Sequence, residues 1–127
     1  MGARILLVED NAANLELARF LLEAGGHTVL AAEDGAEALR VASAEQPELI
    51  VTDLQMPVMD GYELLAQIRA DERLRNLPVV ALTAFSMADD QRKVLVAGFD
   101  GYLSKPIVPE TFAAQIGDFL AGARAGK

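Results

Sequence analysis

The stretch VTDLQMPVMDG, residues 51–61, begins like a buried strand and ends in a turn. Its apolar start runs directly into the carboxylate of Asp53, and Pro57 and the Asp60-Gly61 pair then break the strand. A carboxylate at the tip of an apolar strand is costly unless a group of opposite charge lies nearby. The rest of the chain must therefore explain what this acid does.

The length and composition indicate one compact domain. A chain of 127 residues can form one core without dividing, so we expect a single domain over 1–127, with residues 122–127 as a flexible tail. Apolar residues make up 52% of the chain, which is typical of a folded protein and not of a disordered segment. There is no cysteine, which excludes disulfides, thiolate catalysis and sulfur-ligated zinc.

The net charge of -8 limits the classes of partner. Nucleic acids and anionic membranes are bound mainly through clustered Lys and Arg, so we expect no direct contact with either. A cation is the more natural ligand. The apolar run at the N-terminus reaches Glu9 and Asp10 after a few residues, which is too short for a signal peptide or a membrane span, so a cytoplasmic location is expected.

Short apolar runs and helical patterns alternate along the chain. Runs rich in Val, Ile and Leu predict five strands at 5–8, 28–32, 49–52, 79–82 and 101–103. Helical spacing predicts five helices between and after them, with Asn11 and Asp34 as the caps of the first two. The apolar positions of the first helix are Leu15, Ala18, Phe20, Leu21 and Leu22, and the fifth helix is expected to start near Pro109 with Phe112, Ile116, Phe119 and Leu120.

Strands that alternate with helices must pair in parallel through right-handed crossovers. The predicted fold is therefore a doubly wound α/β sandwich. In such folds the ligand site lies at the carboxyl ends of the strands, where the strand order reverses.

The residues that end the predicted strands form a chemically coherent set. Acids end the first and third strands, a hydroxyl ends the fourth, and a lysine follows the fifth; they are Glu9, Asp10, Asp53, Thr83 and Lys105. Three carboxylates at one edge repel each other unless a cation lies among them, and oxygen ligands suit Mg²⁺. Asp53 is then either a metal ligand or a nucleophile, and the lysine and hydroxyl suit a bound phosphoryl group.

These residues, in the segments LLVEDN, VTDLQMPVMDG, ALTA and YLSKP, resemble the receiver domain of two-component response regulators over essentially the whole chain. The resemblance implies the flavodoxin-like strand order 2-1-3-4-5 and a signalling switch in place of an enzyme with an external substrate. Asp53 matches the phosphoacceptor of a phosphorelay, which takes its phosphoryl group from a histidine kinase or a histidine phosphotransfer protein in a Mg²⁺-dependent reaction.

The resemblance also implies roles for the surrounding residues. Glu9, Asp10, Asp53 and the backbone carbonyl of Gln55 match the metal ligands, and Thr83 and Lys105 match the residues that contact the phosphoryl oxygens. Tyr102 matches the aromatic that turns inward when the threonine moves, and the bond between Lys105 and Pro106 is expected to be cis. Gln55 and Phe85 are expected to tune the lifetime of the phosphoryl group.

Phosphorylation is expected to reshape the face made by the fourth helix, fifth strand and fifth helix, where a downstream protein would bind. Candidate contacts are Arg92, Lys93, Val96, Tyr102 and Phe112. The chain resembles either a stand-alone regulator, which its start at Met1 favours, or the receiver module of a hybrid kinase. Its end, AGARAGK, suggests no output domain and so no direct contact with DNA.

Other readings of the residues remain. Asp10 could cap the next helix, and Tyr102 could be a half-buried strand aromatic. A Mg²⁺-dependent phosphohydrolase would need a second acid two residues after its nucleophile, where Gln55 stands, and a nucleotide-binding module would need a Gly-rich loop. A degenerate receiver that serves as a scaffold is the third rival.

Two further sequence features are expected to be structural. His27, the sole histidine, is predicted to lie at the sheet edge opposite the acids, and the charged run 69–75 is expected to be a solvated helix end and loop.

Overall fold

The computed structural model describes residues 2–56, 58–84 and 88–125. Its strands are β1 Arg4–Val8, β2 Thr28–Ala32, β3 Leu49–Asp53, β4 Val79–Thr83 and β5 Gly101–Ser104. Its helices are α1 Ala12–Ala24, α2 Gly35–Glu45, α3 Gly61–Ala70, α4 Ala88–Ala97 and α5 Pro109–Ala125. The alternation of strands and helices is the predicted one, and each strand boundary lies within one residue of its predicted position.

The five strands form one parallel sheet in the order β2-β1-β3-β4-β5. This is the flavodoxin-like arrangement that the resemblance implied, so the expected fold is confirmed. The order reverses between β1 and β3, which places the carboxyl ends of these two strands side by side. The ligand site of this fold class is expected there.

Each face of the sheet carries its own core, because successive strand residues point to opposite sides. Leu6 and Val8 of β1 lie in the core beneath α2, α3 and α4, whereas Ile5 and Leu7 lie in the core beneath α1 and α5. All five residues of β3 are buried. The sheet is therefore covered by helices on both faces, and only its edges are open to ligands.

Local capping explains where the helices begin. Asn11, Asp34 and Asp60 each accept a hydrogen bond from a backbone N–H of the first turn of α1, α2 and α3. Asp60 and Glu63 form a reciprocal capping box, which satisfies two backbone donors. The predicted caps at Asn11 and Asp34 are confirmed.

One expected surface contact was wrong, and two other positions need comment. Phe20, one of the apolar positions of α1, is 68% exposed because the inward face of α1 is made by Ala18 and Leu22. Phe112 is buried in the core beneath α5, with 2% of its surface exposed, so it is not a surface contact. Helix α5 continues through Ala125, so residues 122–125 of the expected flexible tail are helical, and residues 126 and 127 lie outside the described residues. The expectation of a flexible tail stays a prediction.

His27 has a structural role, one of the two alternatives expected for it, and the run 69–75 is more than a solvated helix end. His27 is half-buried, and its Nδ1 accepts a hydrogen bond of 3.0 Å from the backbone N–H of Ala3. Arg69 lies in the last turn of α3 and donates to several acceptors, so it is not a freely solvated charge. No helix within the described residues is long and apolar enough to cross a lipid bilayer.

Candidate functional site

The ends of four neighbouring strands assemble the predicted site residues at one edge of the sheet. Asp53 and Thr83 are the last residues of β3 and β4, Glu9 directly follows β1, and Lys105 directly follows β5. These strands are adjacent and parallel in the order β1-β3-β4-β5, so their carboxyl ends meet. The arrangement follows from the sheet order alone.

Three carboxylates lie close together at this edge. Glu9, Asp10 and Asp53 each place an oxygen within 4.8 Å of the others. Glu9 is 1% exposed and Asp53 is 7% exposed, whereas Asp10 is open to solvent. Two buried acids and one exposed acid thus form a group that can bind a cation from the solvent side.

Lys105 partly balances this negative charge. Its Nζ lies 2.7 Å from Asp53 Oδ2 and 2.9 Å from Glu9 Oε1. Lys105 Nζ donates a hydrogen bond to Asp53 Oδ2. It forms a close ion pair with Glu9 Oε1, but no donor among the described residues is oriented to hydrogen-bond that oxygen. One lysine cannot neutralise three carboxylates, so the site retains negative charge and an incompletely satisfied buried oxygen.

The pKa values of Glu9 and Lys105 both reflect this crowding. Burial raises the pKa of Glu9, and the nearby charge of Asp53 adds to the effect, while the close contact with Lys105 and the hydrogen bond from the backbone of Asn11 oppose it. Burial acts to lower the pKa of Lys105, but its hydrogen bond to Asp53 and its ion pair with Glu9 outweigh burial and leave that pKa raised. Lys105 therefore stays protonated at neutral pH.

Backbone donors hold the two buried acids in place. The N–H of Asn11 donates to Glu9 Oε2 at 3.2 Å, and the N–H of Gln55 donates to Asp53 Oδ1 at 3.3 Å. The hydroxyl of Thr52 donates to the carbonyl oxygen of Asp53 at 2.9 Å. These contacts fix both carboxylates from the protein side and leave the solvent side to a ligand.

Gly61 supports the loop after Asp53 in a way that the sequence did not reveal. A Cβ at Gly61 would lie 2.6 Å from the carbonyl oxygen of Asp53 and 2.9 Å from the Cα of Leu54. The N–H of Gly61 also donates to the carbonyl of Leu54 at 2.9 Å. The start of α3 therefore packs directly on the backbone of the acid, which only glycine permits.

Thr83 and Lys105 are connected through the sheet. The backbone N–H of Lys105 donates to the carbonyl of Thr83 at 2.8 Å. Thr83 is 2% exposed. It lies two residues after Ala81 on the same strand, so both side chains point to the sheet face that α2, α3 and α4 cover. Tyr102 is half-buried against the same core and pairs with Ala81 across the sheet, so Thr83 and Tyr102 share one face.

The bond between Lys105 and Pro106 is cis, as expected. A cavity of about 300 Å³ opens beside the lysine, lined by Asn14, Ala84, Lys105, Pro106 and Ile107. Sequence reasoning did not predict this cavity, because its lining comes from α1, from the end of β4 and from the segment after β5. Phe85, which was expected to tune the phosphoryl lifetime, lies outside the described residues.

The whole chain is similar to proteins of one signalling family. Residues 5–117 match the model of the response regulator receiver domain. The polar-differentiation response regulator DivK of Brucella ovis is 38% identical over 123 residues, which cover 97% of this chain and 100% of that protein.

Solved structures support the same grouping. The chemotaxis response regulator CheY4 of Vibrio cholerae matches with a TM-score of 0.88 and 28% identity, over 94% of this chain and 99% of that one. The receiver domain of a sensor histidine kinase from Pseudomonas aeruginosa matches with a TM-score of 0.85 and 35% identity, over 95% and 99% of the two chains. That domain has a magnesium ion coordinated in its active-site cleft.

Proposed function

The chain belongs to the response regulator receiver domain family of two-component signalling, and on that premise we propose that Asp53 accepts a phosphoryl group from a phosphohistidine. The donor is a histidine kinase or a histidine phosphotransfer protein. Receiver domains are signalling switches and not enzymes that turn over external substrates. The only catalysis that we propose is of the chain's own phosphorylation and dephosphorylation.

The contact between Asp53 and Lys105 carries this proposal. A buried carboxylate with only a structural role needs a counter-charge such as this ammonium 2.7 Å away, but it does not need two further carboxylates around it. A nucleophilic carboxylate that must meet an anionic phosphoryl group needs both the ammonium and acids that can hold a metal ion. The geometry therefore favours phosphoryl transfer over a purely structural role for Asp53.

The transfer exchanges one bond to phosphorus for another. A carboxylate oxygen of Asp53 attacks the phosphorus of the donor, a P–O bond forms and the P–N bond to the imidazole breaks. The electron pair of that bond stays on the imidazole nitrogen, which takes up a proton from water. Lys105 holds the Asp53 carboxylate before the transfer and contacts the phosphoryl oxygens after it, together with the hydroxyl of Thr83.

The residues present fit a Mg²⁺ ion. Glu9, Asp10 and Asp53 supply carboxylate oxygens within 4.8 Å of one another, and the buried Glu9 Oε1 lacks a well-oriented donor. We assign these three side chains and the backbone carbonyl of Gln55 as the ligands, because hard oxygen donors with room for water suit Mg²⁺. The ion supplies charge neutralisation for the phosphoryl oxygens when it is bound.

Phosphorylation then acts as a switch. The phosphoryl group adds close to two negative charges at Asp53, which draws Thr83 and Lys105 toward it. Tyr102 fills the space beside Thr83, since both lie on the same sheet face. A complete reversal of the switch requires about 5.5 kcal/mol of differential stabilisation.

The face that changes is made by α4, β5 and α5, and we propose that a downstream protein binds there. Arg92, Lys93 and Val96 are exposed on α4 and remain candidate contacts, as does the half-buried Tyr102 on β5. The net charge of -8 favours a protein partner over nucleic acid or an anionic membrane. A cytoplasmic location suits such partners.

A small phosphodonor tests the proposal without a partner. We would incubate the protein with acetyl phosphate, with and without Mg²⁺, and follow its intact mass. The expected result is a single labile adduct that requires Mg²⁺ and is absent from Asp53→Asn. Asp60→Asn is the matched control, because it makes the same change in a helix cap and should retain the adduct. An unmodified wild-type protein under every condition would favour the scaffold interpretation.

A further inference from the structure

Arg69 connects three segments that are distant in sequence. Its guanidinium donates to the carbonyls of Arg75 and Leu77 at 2.9 and 2.7 Å, and to the carbonyl of Gly98 at 3.1 Å. It also donates to Asp100 Oδ2 at 3.0 Å. One side chain thus ties the end of α3 to the loop before β4 and to the loop between α4 and β5.

Asp100 extends the same network into the sheet. Its Oδ2 accepts the backbone N–H of Val79 at 2.7 Å, and its own N–H donates to the carbonyl of Val79 at 2.8 Å. The entry to β5 is therefore fixed to the start of β4 on one side and to Arg69 on the other. Charge-assisted hydrogen bonds of this kind are stronger than neutral ones.

The described side chains of helix α4 are mostly exposed. Among its described side chains, residues 91–97, only Val94 is buried. Gly98 closes the helix with φ +113°, and Phe99 then enters the core with its ring edge-on to Tyr62. The segment that directly follows α4 is thus fixed to the core through Phe99.

We infer that Arg69 is a positioning residue that holds the C-terminal end of α4 while phosphorylation displaces the opposite end. The N-terminal end is the one that leads back to Thr83, because α4 begins at Ala88. A displacement at Thr83 then becomes a rotation of α4 about Gly98. The rotation of α4 rests on the proposed phosphorylation of Asp53. The contacts of Arg69 do not, because they are present in the unmodified protein.

Amide hydrogen exchange tests the anchor in the unmodified protein. Arg69→Met removes all the guanidinium donors and keeps a flexible side chain of similar length. Arg73→Met is the matched control, because among the described residues the guanidinium of Arg73 donates to one carbonyl, that of Ser43. We expect the amides of Phe99 and Asp100 to exchange at least tenfold faster in Arg69→Met and to be unchanged in Arg73→Met. Rates within twofold of the wild type would overturn the inference.

A third variant separates anchoring from general destabilisation. Asp34→Ala removes the cap of α2, so it lowers stability without touching Arg69 or its acceptors. We expect this variant to leave the exchange of the two amides unchanged under conditions that favour the native state. Equal acceleration in Asp34→Ala and Arg69→Met would mean that Arg69 has no specific effect on α4.

Acetyl phosphate with Mg²⁺ then tests the rotation. Intact mass should show the same adduct in the wild type and in Arg69→Met. In the wild type, phosphorylation should change the amide exchange rates in the N-terminal half of α4 and not in its C-terminal half. In Arg69→Met, the change in exchange rates should extend along α4 to Gly98. An equal change in exchange along all of α4 in the wild type would contradict the inference. Failure of both proteins to form an adduct would contradict the proposed function, and the exchange result for the unmodified protein would still stand.

Discussion

Replacing Lys105 with methionine should make stability depend more strongly on pH. The change removes the ammonium that lies 2.7 Å from Asp53 Oδ2 and 2.9 Å from Glu9 Oε1, and it keeps most of the side-chain volume. Glu9 is 1% exposed, so its carboxylate cannot recover the lost interaction from water. The protein can relieve the repulsion only by protonating an acid or by binding a cation.

The magnitude follows from the cost of protonation. Burial already raises the pKa of Glu9 above its ordinary value of 4.5, and the ion pair with Lys105 opposes that rise. Without the lysine the pKa rises further. A carboxyl group whose pKa is raised on folding destabilises the folded state as the pH increases toward the folded pKa, by about 1.4 kcal/mol per pH unit. Between about pH 5 and pH 7.5 the variant should lose up to about 1.4 kcal/mol for each pH unit that lies below its folded pKa, and the wild type should lose less because its pKa is raised less.

Denaturant unfolding at these two pH values, with and without Mg²⁺, measures the effect. We expect the free energy of unfolding of Lys105→Met to fall more steeply with pH than that of the wild type, and Mg²⁺ to restore part of it because it binds only the folded state. Lys93→Met is the control, since Lys93 lies on α4 over the ring of Tyr62 and away from the acids. Parallel pH profiles for wild type and Lys105→Met would refute the argument.

Three further outcomes follow from the geometry. Gly61→Ala should lower the free energy of unfolding by about 2–3 kcal/mol, because its Cβ would meet the Asp53 carbonyl; a loss below about 1 kcal/mol in a urea titration would contradict this. Gly117→Ala, with open space around its Cβ in α5, should raise that free energy by about 0.5–1 kcal/mol, and a decrease would be unexpected. Thr83→Ala should still form the acetyl phosphate adduct but lose the change in tyrosine fluorescence that Tyr102 gives in the wild type; an unaltered fluorescence response would exclude the proposed coupling.

Much of the fold was predictable because the chain obeys simple local rules. The five apolar runs are short, rich in branched residues and separated by helical patterns, so their strands could be placed within one residue. The parallel pairing followed from the alternation. The strand order came from the family resemblance, since the pattern of apolar residues does not specify which strands are neighbours.

The site was predictable for a related reason. Residues that end parallel strands must meet at one edge, so Glu9, Asp53, Thr83 and Lys105 could be grouped without coordinates. The supporting contacts could not be grouped in this way. The approach of Gly61 to the Asp53 backbone and the cavity beside Lys105 depend on how loops from different strands pack.

Other positions have particular physical explanations. Phe20 is two residues past Ala18 and therefore lies on the far side of a helix whose period is 3.6 residues; its exposure could have been derived from that spacing. Residues 122–125 include alanines, which favour helix, and they continue α5. Arg69 gave no local signal, because its acceptors come from loops up to 31 residues away.

The most direct test of the central claim is to locate the phosphoryl group chemically. After treatment with acetyl phosphate and Mg²⁺, borohydride reduces an aspartyl phosphate to homoserine, and peptide mass mapping then identifies the converted residue. We predict homoserine at position 53 and unmodified acids at Glu9 and Asp10. Conversion at either of those two residues in place of Asp53, or at none of the three despite an adduct on the intact protein, would contradict the assignment of Asp53 as the phosphoacceptor.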